Sequence, residues 1–259
     1  MQNILDNIVR KKIEEVRSLY IQRPCFDESI QNRTYTRSLV SNINRANSPG
    51  IIAEFKRQSP SKGIISTIKQ PLEVVKQYEK AGAVAASILT DELFFGGTLN
   101  DIISLRDQVN LPILRKDFII DKIQIDQAAA AGADIILLIA SILTKEEIYD
   151  FTSHAHQIGL EVLLEVHDVK ELEKACTEVD LLGVNNRDLK TFDIDYDRSI
   201  KLLDMIDNHF ISISESGLSD TAVVSHLYQK GFKGFLMGEN FMKHAAPGVA
   251  CKTFIDQLR

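Results

Sequence analysis

Eight short apolar runs, separated by helix-length segments, do most to narrow what this chain can fold into. They fall at Ile51–Phe55, Val84–Leu89, Pro112–Leu114, Ile135–Ile139, Val162–Leu164, Leu181–Val184, Phe210–Ile213 and Gly234–Met237, and are rich in Ile, Val and Leu. Runs this short and nearly continuous in hydrophobicity suit parallel strands buried on both faces. Between them lie amphipathic patterns such as Pro71–Ala81, Lys122–Ala131, Lys145–Gln157 and Thr221–Lys230, several followed by glycine (Gly82, Gly132, Gly159, Gly231) where a helix C-cap belongs. KAGAVAASIL and AAGADIILLIAS read as one βα piece used twice. Eight strand–helix units are the number that closes a barrel. The expected fold is therefore α/β: a single (β/α)8 TIM barrel over residues 48–259. An open doubly wound sheet would carry a GxGxxG after its first strand, and none is present.

Residues 1–47 follow a different pattern and are expected to form a helical extension packed on the barrel, within one structural domain. Ile4, Leu5, Ile8, Val9, Ile13, Val16, Leu19 and Tyr20 keep helical spacing, with Lys and Glu assigned to the opposite face. Gln22–Ser29 is expected as a loop and Thr36–Asn44 as a second short helix. A net charge of −6 argues against a nucleic-acid partner. Three cysteines without metal-ligand spacing fit free thiols in a reducing compartment. With no signal-peptide pattern and no long apolar run, the chain is expected to be cytoplasmic and not membrane-bound.

In a closed barrel the C-terminal strand ends converge on one mouth, where the chemistry of this architecture is kept. Those ends carry Glu54 and Lys56, Thr90–Glu92, Arg115–Asp117, Glu165, Asn185–Arg187, Ser214–Gly217 and Gly238–Asn240. Strand interiors are apolar while almost every end is polar, which solvation alone does not explain. Alternation along a strand points Glu54 and Lys56 the same way. Lys56 and Lys116 crowd one cavity, an arrangement expected to lower a lysine's pKa, while Glu54 and Glu165 enter it as carboxylates. Lys116 is expected to be an exposed mouth residue that supports no core. Glycines in ISESGL and MGENF, after the seventh and eighth strands, would let backbone N–H groups approach a phosphate. Glu239 would repel a phosphate through its side chain, so contact there is expected from backbone. Phe95 and Phe118 could stack on an aromatic ligand. The six histidines show no partner pattern and receive no role.

Together, IIAEFKRQSPSKG, LTDELFFGGTL, PILRKDFIID, LLEV, GVNNRDL, SESGL and FLMGE resemble the indole-3-glycerol-phosphate synthase family, in order and over nearly the whole chain. The resemblance implies a barrel with N-terminal helices partly covering its mouth and no metal or organic cofactor. It also implies an anionic substrate, 1-(2-carboxyphenylamino)-1-deoxyribulose 5-phosphate, closed to an indole with loss of CO2 and water. Lys116 then matches the general acid of ring closure, Glu165 and Glu54 the proton-shuttling carboxylates, and Lys56 the lysine anchoring the substrate. Asn185 and Ser216 match orienting positions. Ser59, Ser61, Phe95, Phe118 and Arg187 match the substrate site or its support. Gly217 and Gly238 match the phosphate loops, with Glu215 and Glu239 beside them. Family members are often monomers. Gln58 stands where some carry lysine. How acid and base roles divide among Lys56, Lys116, Glu54 and Glu165 stays open at this point. The isomerase barrel of the same pathway would need a cysteine on the first strand, and a binding barrel without turnover would lack some of those four residues; neither holds here.

Overall fold

A computed structural model describes residues 4–22, 24–31, 37–188 and 193–259. Eight parallel strands close into a barrel: β1 Gly50–Phe55, β2 Ala85–Leu89, β3 Ile113–Lys116, β4 Ile135–Ile139, β5 Glu161–Val166, β6 Leu181–Asn185, β7 Ile211–Glu215 and β8 Gly234–Met237. Each pairs with its sequence neighbours, and closure is made by β1 against β8, with Gly50 opposite Gly234 and Ala53 opposite Met237. Helices Leu72–Ala81, Lys122–Ala131, Lys145–Gln157 and Thr221–Lys230 lie where the sequence pattern placed them, within one residue. Among the described residues no helix is long and apolar enough to cross a membrane.

Period-2 alternation divides the strand residues into two cores. Ile51, Ala53 and Phe55 on β1, or Leu182 and Val184 on β6, point outward and join the layer beneath the helices. Ile52, Ala85, Leu114, Ile135, Leu137, Ile139, Leu163, Leu181, Ile213 and Leu236 point inward and fill the barrel. Continuing the inward set by two positions toward each strand's C-terminal end reaches Glu54, Lys116, Glu165 and Glu215; on β6 the same step reaches Gly183 and the next one Asn185. The polar mouth is thus the inner face of the same strands, one layer above the apolar plug.

The N-terminal helices are divided between the two ends of the barrel. Helix α1, Ile4–Gln22, lies at the mouth, where Ile4, Leu5 and Ile8 line the cavity. Helix α2, Asp27–Gln31, begins inside the Gln22–Ser29 segment expected as a loop and runs two residues past it, and its first turn carries Asp27 and Glu28, which favour a helix N-terminus. Helix α3, Leu39–Arg45, starts later than expected from sequence because Ser38 caps it, accepting from Ser41 N at 2.9 Å. Thr36, the expected start, lies outside the described residues. Helix α3 seals the opposite end of the barrel. Leu39 and Ile43 pack under Ile52, Leu181 and Ile213, and each such burial contributes about 1.5–3 kcal/mol. Glu161, at the start of β5, accepts from Leu39 N at 2.8 Å and from Val40 N at 3.3 Å, and also from the Ser38 hydroxyl.

The face assigned to α1 needs correction. Ile8 and Val16 are buried as expected, but Ile13 and Tyr20 are exposed, and Lys12 is only 2% exposed. Its ammonium lies 2.9 Å from Asp91, 2.9 Å from Asp117 and 2.8 Å from Glu15. Asp117 also accepts from Thr90 at 2.5 Å and Arg115 at 3.0 Å. The two buried aspartates need a cation, and the lysine stem crosses the apolar stripe to supply it. Replacing Lys12 with Met leaves them undercompensated and is expected to lower stability by about 3 kcal/mol, read as a fall in the urea midpoint. Equal midpoints for parent and variant would refute this.

Candidate active site

The mouth encloses a cavity of about 460 Å³. Every site residue expected from the sequence lines it except Glu215, which lies beneath its floor. From β1, Glu54 accepts from Lys56 at 2.8 Å through Oε1 and from Ser87 at 3.5 Å through Oε2. Burial pushes the Glu54 pKa up, but Lys56 and Lys116 outweigh it and hold the carboxyl below the usual glutamate value. From β3, the Lys116 ammonium lies 2.7 Å from Glu215 Oε2 and 3.8 Å from Glu54 Oε2. From β5 and β6, Glu165 Oε1 accepts from Asn185 Nδ2 at 3.1 Å, and Asn185 Oδ1 accepts from Arg187 N at 3.0 Å.

Two expectations about Lys116 fail for one reason. It is not an exposed rim residue: its side chain keeps 16% exposure and faces the fully buried Glu215. Nor does crowding by Lys56 lower its pKa. Burial pulls the ammonium down, yet the carboxylates of Glu215, Glu54 and Glu165 hold it above the ordinary lysine value. The neighbouring Asp117, on the outward side of β3, serves Arg115 and Lys12 instead.

Loop 1, after β1, folds back as a small antiparallel pair, Gln58–Ser59 with Gly63–Ile64. Ser59 and Ser61 hydroxyls stand 3.4 Å apart there, and Lys62 reaches toward Glu239 at 3.9 Å across the rim. Gln58 donates to Leu93 O at 3.2 Å, so it ties loop 1 to the loop after β2. Phe95 and Phe118 face each other with ring centroids 6.0 Å apart. After β7, Ser216 (φ 67°) and Gly217 (φ 75°) are both in the left-handed region. For serine that conformation is strained, and it is held by Asn186 Nδ2 donating to Ser216 O at 2.9 Å and Tyr196 donating to Gly217 O at 2.8 Å. Among the described residues no group of three or more His, Cys, Asp or Glu side chains could hold a metal ion.

A family model for indole-3-glycerol phosphate synthase matches residues 5–254 of this chain. The chain belongs to that family. It is 44% identical over 263 residues to the indole-3-glycerol phosphate synthase of Bacteroides thetaiotaomicron, covering 100% of both chains. It is also 44% identical to that of Bacillus cereus over 245 residues, covering 93% of this chain and 94% of the relative. Among solved structures, the alpha subunit of tryptophan synthase from Legionella pneumophila superposes with a TM-score of 0.62 at 12% identity, over 88% of this chain and 98% of that one. That likeness shows the shared fold alone.

Within this synthase-family mouth, two glycines make room for carboxylates. A Cβ at Gly238 would meet Glu54 Oε1 at 2.4 Å, and one at Gly183, on β6, would meet Glu215 Oε1 at 2.1 Å. Sequence reading assigned Gly238 to a phosphate loop and gave Gly183 no role, since only the folded barrel shows what leans over each. It also passed over His167, which follows Glu165 on the inner face and lies 3.4 Å from it. The i+2 spacing that linked Glu54 to Lys56 was the available signal.

Gly183→Ala is expected to push Glu215 off Lys116 and cut kcat about tenfold or more with the circular dichroism spectrum retained. Unchanged kinetics would show that the space is not needed. Burial pushes Glu215 up to about 7 against the pull of Lys116, with Glu165 and Glu54 adding to the rise. A carboxyl raised on folding contributes stability that is full below pH 4.5 and lost as pH rises toward 7. The stability of Glu215→Gln relative to the parent should therefore improve across that window, measured by urea unfolding at a series of pH values. A constant difference would contradict it.

Proposed function

We propose that this mouth closes 1-(2-carboxyphenylamino)-1-deoxyribulose 5-phosphate to indole-3-glycerol phosphate, releasing CO2 and water, as a carboxy-lyase of tryptophan biosynthesis. The observation carrying this reading is the Lys116 ammonium held 2.7 Å from Glu215 and 3.8 Å from Glu54 on the floor of a cavity that also admits Glu165 and Lys56. Ring closure needs a proton, or a fixed positive charge, at the ketone oxygen as the aromatic carbon attacks. Lys116 supplies it, because three carboxylates keep its ammonium protonated at neutral pH. The carboxylate then leaves as CO2, its bonding electrons restoring the aromatic ring. Loss of the new hydroxyl as water needs an acid at that oxygen and a base for the departing proton. We assign the acid to Lys56 and the base to Glu165, with Glu54 holding Lys56 in place.

The Phe95–Phe118 pair and the apolar side of α1 form the slot for the anthranilate ring. Asn185 and Ser216 orient the substrate, with Arg187, Ser59 and Ser61 around it. Backbone N–H groups near Gly217 and Gly238 take the phosphate, and Glu239, turned toward Lys62, is kept from it. No metal or organic cofactor enters the scheme. We further read residues 1–47 as an extension on the 48–259 barrel, within a cytoplasmic monomer that binds neither nucleic acid nor membrane.

The chain contains no tryptophan, so indole formation is visible as fluorescence over a tyrosine background. Purified protein mixed with the anthranilate-derived ribulose phosphate should give a rising indole signal. Lys116→Ala is expected to slow it by about 10²–10⁴-fold. The same change should also cost stability as pH rises past 7, because without Lys116 the buried Glu215 carboxyl is raised further and resists ionisation. A flat trace for the parent would refute the proposed activity, and a variant rate within about tenfold of the parent would remove Lys116 from its role.

A further inference from the structure

His167 stands one alternation beyond Glu165, as Lys56 stands beyond Glu54. Its ring is clamped from one side. The Glu171 carboxylate accepts from His167 N at 2.8 Å, and His167 Nδ1 lies 3.0 Å from the same oxygen. Glu171 itself is fixed in the short helix Val169–Leu172, its N–H donating to the Asp168 cap at 2.9 Å. With Nδ1–H committed to Glu171, Nε2 faces Glu165 Oε1 at 3.4 Å; it is buried and has no hydrogen-bond partner. A lone pair aimed at a carboxylate would be repelled, so the geometry calls for a proton on both ring nitrogens. Asn185 donates to that same Oε1. Oε2 of Glu165 has no donor among the described residues, which leaves it as the oxygen free for proton transfer.

We propose that His167, as an imidazolium clamped by Glu171, is a positioning residue that with Asn185 pins Oε1 of Glu165 and presents Oε2 to the substrate. This rests on the reading of Glu165 as the proton-accepting carboxylate. The charged groups around the ring favour it: Glu165 on β5, Glu171 on the following helix and Glu215 on β7, the last shared with Lys116 on β3. Burial works against the ring charge, but these carboxylates outweigh it and raise the His167 pKa. The hold is therefore present at lower pH and is lost when the ring deprotonates above its raised value.

The test is steady-state kinetics across pH on the full chain, with indole fluorescence as the readout. His167→Ala is expected to lower kcat about 30–100-fold with KM within about threefold, a split expected of misaligned chemistry rather than lost binding. His167→Gln offers Glu165 a neutral donor at a similar reach. It should restore most of kcat and abolish the basic limb that the parent shows as His167 titrates. In Glu171→Gln that limb should move to lower pH, and this variant decides the matter should His167→Ala fail to fold. A His167→Ala kcat within about threefold of the parent, or a basic limb unmoved in His167→Gln and Glu171→Gln, would overturn the proposal. If Glu165→Gln retains parental activity, the role of Glu165 fails and this inference falls with it. If Glu165→Gln is inactive while the His167 and Glu171 variants behave as the parent, only the inference fails.

Discussion

The mouth of this barrel depends on charge balance in a space with little water. Three carboxylates, Glu54, Glu165 and Glu215, face inward near one another, and Glu215 is fully buried. Each would be costly alone, and together they repel. Lys116 at their centre, Lys56 against Glu54 and His167 beside Glu165 make the arrangement possible. The same balance decides which groups can exchange protons. Lys116 is held as the ammonium at neutral pH, with its proton available to the site, while Glu215 is the carboxyl driven toward neutrality. Stability and chemistry draw on the same atoms here, so few of these side chains can change without affecting both.

Much of this was legible before any coordinates. Two-residue alternation placed Glu54 with Lys56, and strand-end position gathered Lys116, Glu165 and Asn185 into one cavity, because both follow from how a pleated strand projects its side chains. The helix at Lys145–Gln157 was bounded to the residue because its cap residues are local. What alternation could not supply was partner identity. Lys116 has Asp117 adjacent in sequence, but the pleat sends the two to opposite sides of β3 and leaves Lys116 to Glu215, 99 residues away. Lys12 looked like a solvated helix residue because its two aspartates are contributed by the ends of other barrel elements. His167 had no visible partner because the clamp on its ring becomes meaningful only once Glu165 is known to face inward.

Glycine positions show the same limit. In sequence, Gly183 is a small residue inside an apolar strand, a place that usually weakens a sheet. In the barrel it is the space that Glu215 occupies, and Gly238 does the same for Glu54. These gaps let the carboxylates lie across neighbouring strands and bring their oxygens to the lysines. A reading confined to turn chemistry would miss them, since neither Gly183 nor Gly238 takes a left-handed conformation.

The division of the N-terminal helices between the two barrel ends bears on how the chain is made. Leu39 and Val40 find the carboxylate that caps their helix at Glu161, more than 120 residues later in the chain. Tyr20, on α1, donates to Asp121, 101 residues on. During synthesis α1 cannot make its bond to Asp121 until three of the eight strands exist, and α3 cannot be capped until the fifth has begun. Contacts of such long sequence separation close slowly, and the apolar faces of α1 and α3 are uncovered in the meantime. The helices that precede the barrel in sequence thus depend for their docking on strands made after them.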